Sequence, residues 1–143
     1  MALVVDASVV LAWLFPDENS TFAQSVIRGA LGERPRAPSI LMLEVGNALV
    51  QAERRGRIGS RMRADLLGAF VALPIGLEPI TAEAATRATV LAVQHQLTLY
   101  DASYLELALA RRCPLATLDR PLAAAAREEG VTVLDTPAAP TSR

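Results

Sequence analysis

Short apolar runs alternate along this chain with longer segments in which apolar residues recur every three or four positions. The first pattern suits a strand covered on both faces, the second a helix with one face in the core. A chain that alternates the two has few folds open to it, and the class is α/β with a mainly parallel sheet. The run over 2–5 reads as a buried parallel strand that stops at Asp6. A short helix is expected over 8–15, closed by Pro16, and a second over 20–31. A brief strand near Arg36 and Ala37 then precedes a strong helix over 40–55, stopped by Gly56. Residues 60–73 carry Met62, Leu66, Phe70 and Leu73 on one helical face, so these two helices form a hairpin. Beyond them the pattern predicts a strand over 75–79 and a helix capped by Thr81 that runs to 94. A helix opened by Asp101 and running to 112 follows, then a strand over 115–118. A helix over 120–129, stopped by Gly130, and a strand over 131–134 complete the pattern. Residues 136–143 are rich in Pro, Ala, Ser and Thr and are expected to fray, which leaves one domain over 1–135.

The hydrophobic share of 52% and mean hydropathy of +0.30 fit a well-filled core and a buried subunit interface. They oppose disorder, which needs low hydrophobicity and high charge. Net charge is −1, so bulk charge gives no support to a nucleic-acid partner, although a local patch or a bound metal can replace it. Cys113 is the only cysteine, which rules out a disulfide framework within one chain and fits a reducing, cytoplasmic setting. The apolar start is interrupted by Asp6 and lacks a preceding basic segment, so a strand is expected there and not a signal peptide or membrane span. All 14 basic residues are arginine; the chain has no lysine.

Asp6 and Asp119 each follow an apolar strand, and Asp101 stands at an expected helix start. In open α/β sheets ligands bind beyond the carboxyl ends of the strands, so all three could face one edge. Aspartate is also a favoured N-cap, and each taken alone can be read that way. Glu44 is harder to place. Its neighbours one helical turn away are Ile40, Leu41, Asn47 and Ala48, a largely apolar face, and no lysine exists to pair with it. Either an arginine comes from elsewhere or Glu44 edges a polar pocket that holds a cation. Four converging carboxylates repel one another, and a divalent ion removes that penalty. Oxygen donors without His or Cys select Mg2+ or Mn2+ over Zn2+.

The remaining candidates are less specific. His95, the only histidine, reads as a surface residue. The tripeptide Asp-Ala-Ser occurs at 6–8 and at 101–103, which we read as one local geometry used twice. Arg54, Arg55, Arg57, Arg61 and Arg63 cluster after Glu44, where they can neutralise phosphates or complement a helix C-terminus. Arg120, directly after Asp119, is better placed for a phosphate. Trp13 and Phe15 are expected to pack.

The segments 4–9 (Val-Val-Asp-Ala-Ser-Val), 41–49 (Leu-Met-Leu-Glu-Val-Gly-Asn-Ala-Leu), 97–105 (Leu-Thr-Leu-Tyr-Asp-Ala-Ser-Tyr-Leu) and 115–122 (Leu-Ala-Thr-Leu-Asp-Arg-Pro-Leu) resemble the four motifs of PIN-domain nucleases. More narrowly, they resemble the VapC toxins of toxin–antitoxin pairs. The resemblance spans about residues 3–135, and four motifs in order are far more specific than any one. It implies a three-layer α/β/α sandwich around a parallel sheet and Mg2+- or Mn2+-dependent cleavage of RNA. Asp6, Glu44, Asp101 and Asp119 fall on its acidic positions. Ser8 and Thr117 fall on hydroxyl positions supporting the first and last acids, and Asn47 on the polar position beside the glutamate. It also implies a homodimer and a cognate antitoxin.

Two other Mg2+-binding folds that gather aspartates at strand ends, receiver domains and haloacid-dehalogenase-type phosphatases, use a lysine that this chain lacks. The phosphatases also want a second aspartate where Ser8 stands. The non-enzymatic alternative is an interaction module whose acids only cap helices.

Overall fold

A computed structural model describes residues 2–15, 17–18, 21–33 and 35–135. Five parallel strands form one sheet: β1 (Leu3–Val5), β2 (Pro35–Pro38), β3 (Gly76–Glu78), β4 (Leu115–Ala116) and β5 (Val133–Leu134), in the order β3-β2-β1-β4-β5. Among the described residues seven helices connect and cover them: α1 (Ala7–Leu14), α2 (Thr21–Glu33), α3 (Ile40–Arg54), α4 (Ser60–Val71), α5 (Ala82–His95), α6 (Leu99–Arg111) and α7 (Arg120–Glu128). Helices α1 to α4 pack among themselves, and α6 packs on α5, α7 and the central strands β1, β2 and β4. This is the expected α/β sandwich. The closing Pro16, the start at Ser20 and the segment 136–143 lie outside the described residues.

Val4 and Val5 are both fully buried although they point to opposite faces of β1, so both faces of the central strand are covered. Leu115 and Ala116 of β4 are buried in the same way. Register pairs Val4 with Leu115 and Val5 with Ala116, which brings the residues that follow, Asp6 and Thr117, side by side at the carboxyl edge. The strand order turns about β1. The chain walks outward from β1 to β2 and β3, then returns to its other side with β4 and β5. The carboxyl ends of β1 and β4 therefore flank the point at which open α/β sheets form a crevice.

Most helix ends fall within two residues of expectation, and one mechanism sets four of them. Gly56, Gln96, Arg112 and Gly130 all have positive φ, and the amide of the next residue bonds back to a carbonyl five residues earlier: Arg57 to Ala52, Leu97 to Ala92, Cys113 to Ala108, Val131 to Ala126. The last of these takes Val131 out of the expected strand over 131–134, which shortens to two residues. Helix α6 starts earlier than Asp101, because Thr98 is its cap and accepts the Asp101 amide at 3.1 Å.

Two further expectations are corrected. His95 is no surface residue. Its side chain is only 5% exposed, with Nδ1 3.2 Å from Glu128 and Nε2 3.3 Å from Glu129, so it ties the end of α5 to the end of α7. The two Asp-Ala-Ser segments do not share a geometry. Asp6 caps α1 and is bonded by Ser8, whereas Asp101 lies inside the first turn of α6 and Ser103 donates to the Tyr100 carbonyl. Phe15 is buried and Trp13 half-buried against the core, as expected of packing aromatics.

Candidate active site

Asp6 is 4% exposed and lies at the end of β1. Its Oδ1 accepts from the Ser8 hydroxyl at 2.5 Å and from the Val9 amide at 3.2 Å. Its Oδ2 accepts from the Thr117 hydroxyl. Ser8 in turn accepts the Leu118 amide at 2.9 Å, and Thr117 accepts the Asp119 amide at 2.9 Å. The two hydroxyls expected to support the first and last acids thus stitch the ends of β1 and β4 together, and Thr117 serves both acids. Asp119 caps α7 through the Leu122 amide at 3.0 Å. For Asp6 and Asp119 the capping reading therefore holds alongside any other role.

Glu44 and Asp101 are not caps. Glu44 is half-buried, one turn along the α3 face that buries Leu41, Val45 and Leu49. Among the described residues no arginine pairs with it. Its Oε1 accepts from the Tyr104 hydroxyl at 2.5 Å. Asp101, half-buried in the first turn of α6, lies within electrostatic reach of Asp119 and Glu44.

Electrostatics joins the four. Burial pushes the Asp6 carboxyl up to about 6, partly offset by Ser8, Thr117 and the Val9 amide, and the Asp119 charge raises it further. Burial, then the Asp119 charge, raises Asp101. Burial raises Glu44, Tyr104 opposes it, and the Asp101 charge adds to it. The Tyr104 hydroxyl is raised above the ordinary phenol range by burial first, then by its bond to Glu44 and the charges of Glu44, Asp6 and Asp101. Four acids from distant segments therefore feel one another across one small volume at the β1/β4 crevice.

The pattern of pairing sets this group apart. Among the described residues, the other acids that are not fully exposed have an arginine or histidine partner. Glu53 meets Arg63, Glu78 meets Arg36 and Arg111, Glu106 meets Arg87, Glu129 meets His95 and Asp135 meets Arg127. Asp6, Glu44 and Asp119 are held by hydroxyls and amides instead, which orient a carboxylate without neutralising it, and Asp101 has no ion pair among the described residues. As the side chains are posed, no three of them close into a ready cage among the described residues. Oxygens of Asp6, Glu44 and Asp119 are committed to hydroxyl and amide donors. The donor set nonetheless fits a hard divalent cation: oxygen only, mutually repelling, and free of Arg, His and Cys.

Around this group, Asn47 is exposed one turn beyond Glu44, and Arg120 is exposed next to Asp119. Arg54, Arg55 and Arg61 are exposed at the α3–α4 turn. Arg57 has other engagements, an ion pair with Asp17 at 2.8 Å and a stack over the Phe15 ring at 4.2 Å. Sequence reasoning did not single out Tyr104 or Thr98. Tyr104 lies one helical turn after Asp101, and Thr98 with an acid three positions later is a capping-box pattern. Both signals were present in the chain.

Residues 3–135 match the family described as PIN domain. Ribonuclease VapC3 of Pyrobaculum aerophilum is 36% identical over 127 residues, covering 86% of this chain and 93% of the relative. Among solved structures, PAE2754 from Pyrobaculum aerophilum superposes with a TM-score of 0.71 at 25% identity, over 93% of this chain and 83% of that one. VapBC2 from Rickettsia felis, solved bound to a DNA fragment from its promoter, superposes with a TM-score of 0.69 at 11% identity, over 94% and 98%. At that identity the likeness is one of fold.

Proposed function

The chain belongs to the PIN-domain family, and on that premise we propose that it is a VapC-type endoribonuclease that hydrolyses RNA phosphodiesters with Mg2+ or Mn2+. The observation that carries the reading is the electrostatic coupling of Asp6, Glu44, Asp101 and Asp119 with no ion pair to any of them among the described residues. The ribonuclease name of the 36% identical relative supports RNA as the substrate.

Asp6 and Asp101 would hold the ion directly, with Glu44 beside Asp101 and Asp119 beside both aspartates. A bound divalent ion supplies an acidified water for attack on phosphorus and charge to stabilise the departing oxygen. The chain's residues do the rest. Ser8 and Thr117 fix the plane of the Asp6 carboxylate through both of its oxygens. Thr117 and the α7 N-terminus hold Asp119 at the mouth of the crevice. Arg120, exposed at that mouth, meets a phosphate of the RNA, and Arg54 and Arg55 extend the cationic track.

A homodimer and a cognate antitoxin belong to this reading. Exposed apolar side chains support them, among them Leu43 at 69% and Val93 at 82%. A cytoplasmic setting is part of the same reading and fits the buried thiol of Cys113. The alternative, a non-catalytic module whose acids only cap helices, fits Asp6 and Asp119 but leaves Glu44 and Asp101 unexplained. The deciding experiment sequences the RNA ends made with Mn2+ by the wild type and by Asp6→Asn. New 5′ ends that vanish in the variant are expected; identical cleavage by both removes Asp6 from catalysis.

A further inference from the structure

The Tyr104 ring is 1% exposed, packed within the core of α6, so as far as the ring is concerned a phenylalanine would serve. What a phenylalanine lacks is the hydroxyl, and that hydroxyl lies in the midst of the acids. It donates to Glu44 Oε1 at 2.5 Å, and the charges of Glu44, Asp6 and Asp101 all bear on it. Glu44 has no other side-chain hydrogen bond among the described residues. Its neighbours are differently held: Asp6 has two hydroxyls and an amide, and Asp119 has the α7 cap.

We propose that Tyr104 is a positioning residue that fixes the Glu44 carboxylate at the site through its hydroxyl. The inference rests on the ribonuclease reading above and extends it to a residue outside the acidic quartet. The physical argument is one of mobility. Glutamate has three side-chain torsions, and a long side chain held at one end of a helix turn samples several rotamers unless something fixes its tip. A neutral donor fixes the tip and leaves the charge intact. An arginine in the same place would fix it as well but would cancel the charge that a cation needs. The hydroxyl has one proton, and it goes to Oε1, so Oε2 is the oxygen left for a ligand. Tyr104 itself touches neither the RNA nor the reacting phosphorus in this role. It acts through Glu44.

The test is Tyr104→Phe, which keeps the ring, combined with Glu44→Gln in a double-mutant cycle. The readouts are Mn2+ affinity by calorimetry and, separately, kcat and KM on a short RNA. Removing a residue that orients a metal ligand lowers metal affinity or activity about 10–100-fold. The expected result is a Mn2+ Kd raised about tenfold in Tyr104→Phe, with kcat reduced and KM for RNA unchanged. In the Glu44→Gln background the tyrosine change should add nothing further, because the group it positions is already altered. A purely structural role would lower both backgrounds by the same factor, and that additive outcome overturns the proposal. So does a Tyr104→Phe protein that binds Mn2+ and cuts RNA as the wild type does. If the wild type itself neither binds Mn2+ nor cuts RNA, the ribonuclease reading fails, and this inference fails with it. Circular dichroism of each variant confirms that the comparison is between folded proteins.

Discussion

Asp6 should weaken the fold at neutral pH, and Asp6→Asn should show it. The carboxyl is raised from 3.8 to about 6 in the folded chain, chiefly by burial. Between those two values the native state binds a proton that the unfolded state has released. Stability therefore falls as pH rises through the interval, by up to about 1.4 kcal/mol per pH unit. The full penalty is present above pH 6 and amounts to about 3 kcal/mol. At pH 4 it has shrunk to about 0.5 kcal/mol. Asparagine removes the charge but satisfies Ser8, Thr117 and the Val9 amide less well, a loss of about 1 kcal/mol. The variant should gain about 2 kcal/mol at pH 7 and lose about 0.5 kcal/mol at pH 4. At roughly 3–4 °C per kcal/mol for a domain of this size, its melting temperature should exceed the wild type's by about 6–8 °C at pH 7. Paired thermal melts in EDTA at the two pH values measure this. Mn2+ at about 100 times its Kd should then stabilise the wild type by about 2.7 kcal/mol and the variant by much less. A difference between the two proteins that is the same at pH 4 and pH 7 would refute the claim that burial of a charge dominates at Asp6.

Two further outcomes separate paired from unpaired side chains. Arg87 contacts the buried Glu106 through Nε and Nη2 at 3.1 and 2.9 Å, so Arg87→Met should cost about 2 kcal/mol, discounted for the exposure of the arginine. Chemical denaturation should also show Glu106→Gln recovering part of that loss in the double variant. Arg54 and Arg55 carry no ion pair among the described residues, whereas Arg57 holds Asp17 and stacks on Phe15. RNA binding measured against salt concentration should therefore lose about one unit of log–log slope for each of Arg54→Ala and Arg55→Ala. Arg57→Ala should lower the melting temperature with little change in slope; the reverse pattern would remove the α3–α4 turn from the RNA track.

The sheet and most helices were legible because their signals are local. Val4 and Val5 announce a strand buried on both faces, and Thr81 caps α5 as its side chain predicts, accepting the Ala84 amide. Gly56 and Gly130 mark helix ends because glycine enters the left-handed region without strain. Gln96 and Arg112 adopt that conformation too, at φ values of 55° and 52°, and nothing in either side chain signals it. There the packing of the following strand or loop overrides local preference. His95 was misread for a similar reason: its partners Glu128 and Glu129 lie on another helix, and no spacing rule brings them together. Tyr104 was hidden by its own hydrophobicity, since a ring on a buried helical face is explained by packing before its hydroxyl is considered.

The four acids were legible individually, but their lack of cationic partners among the described residues is a property of the fold alone. An arginine-only chain has ample charge to neutralise them, and it does so for Glu53, Glu78 and Glu106. At the β1/β4 crevice it does not. Ser8, Thr117, Tyr104 and the amides of Val9 and Leu122 satisfy the lone pairs of these acids while leaving their charge in place. Structure alone gains nothing from this choice, because an ion pair or an apolar side chain would be cheaper to bury than a carboxylate at the end of β1. The arrangement is favourable only when an external cation offsets the repulsion, so the cluster's cost to stability and its capacity to bind a divalent ion are one physical property. Substitutions at Asp6, Glu44 and Asp101 should accordingly trade the two against each other, each neutral variant melting higher in EDTA and responding less to Mn2+, and Asp119→Asn should also respond less to Mn2+. A variant among the four that melts lower in EDTA yet retains the full response would mark its acid as a structural cap.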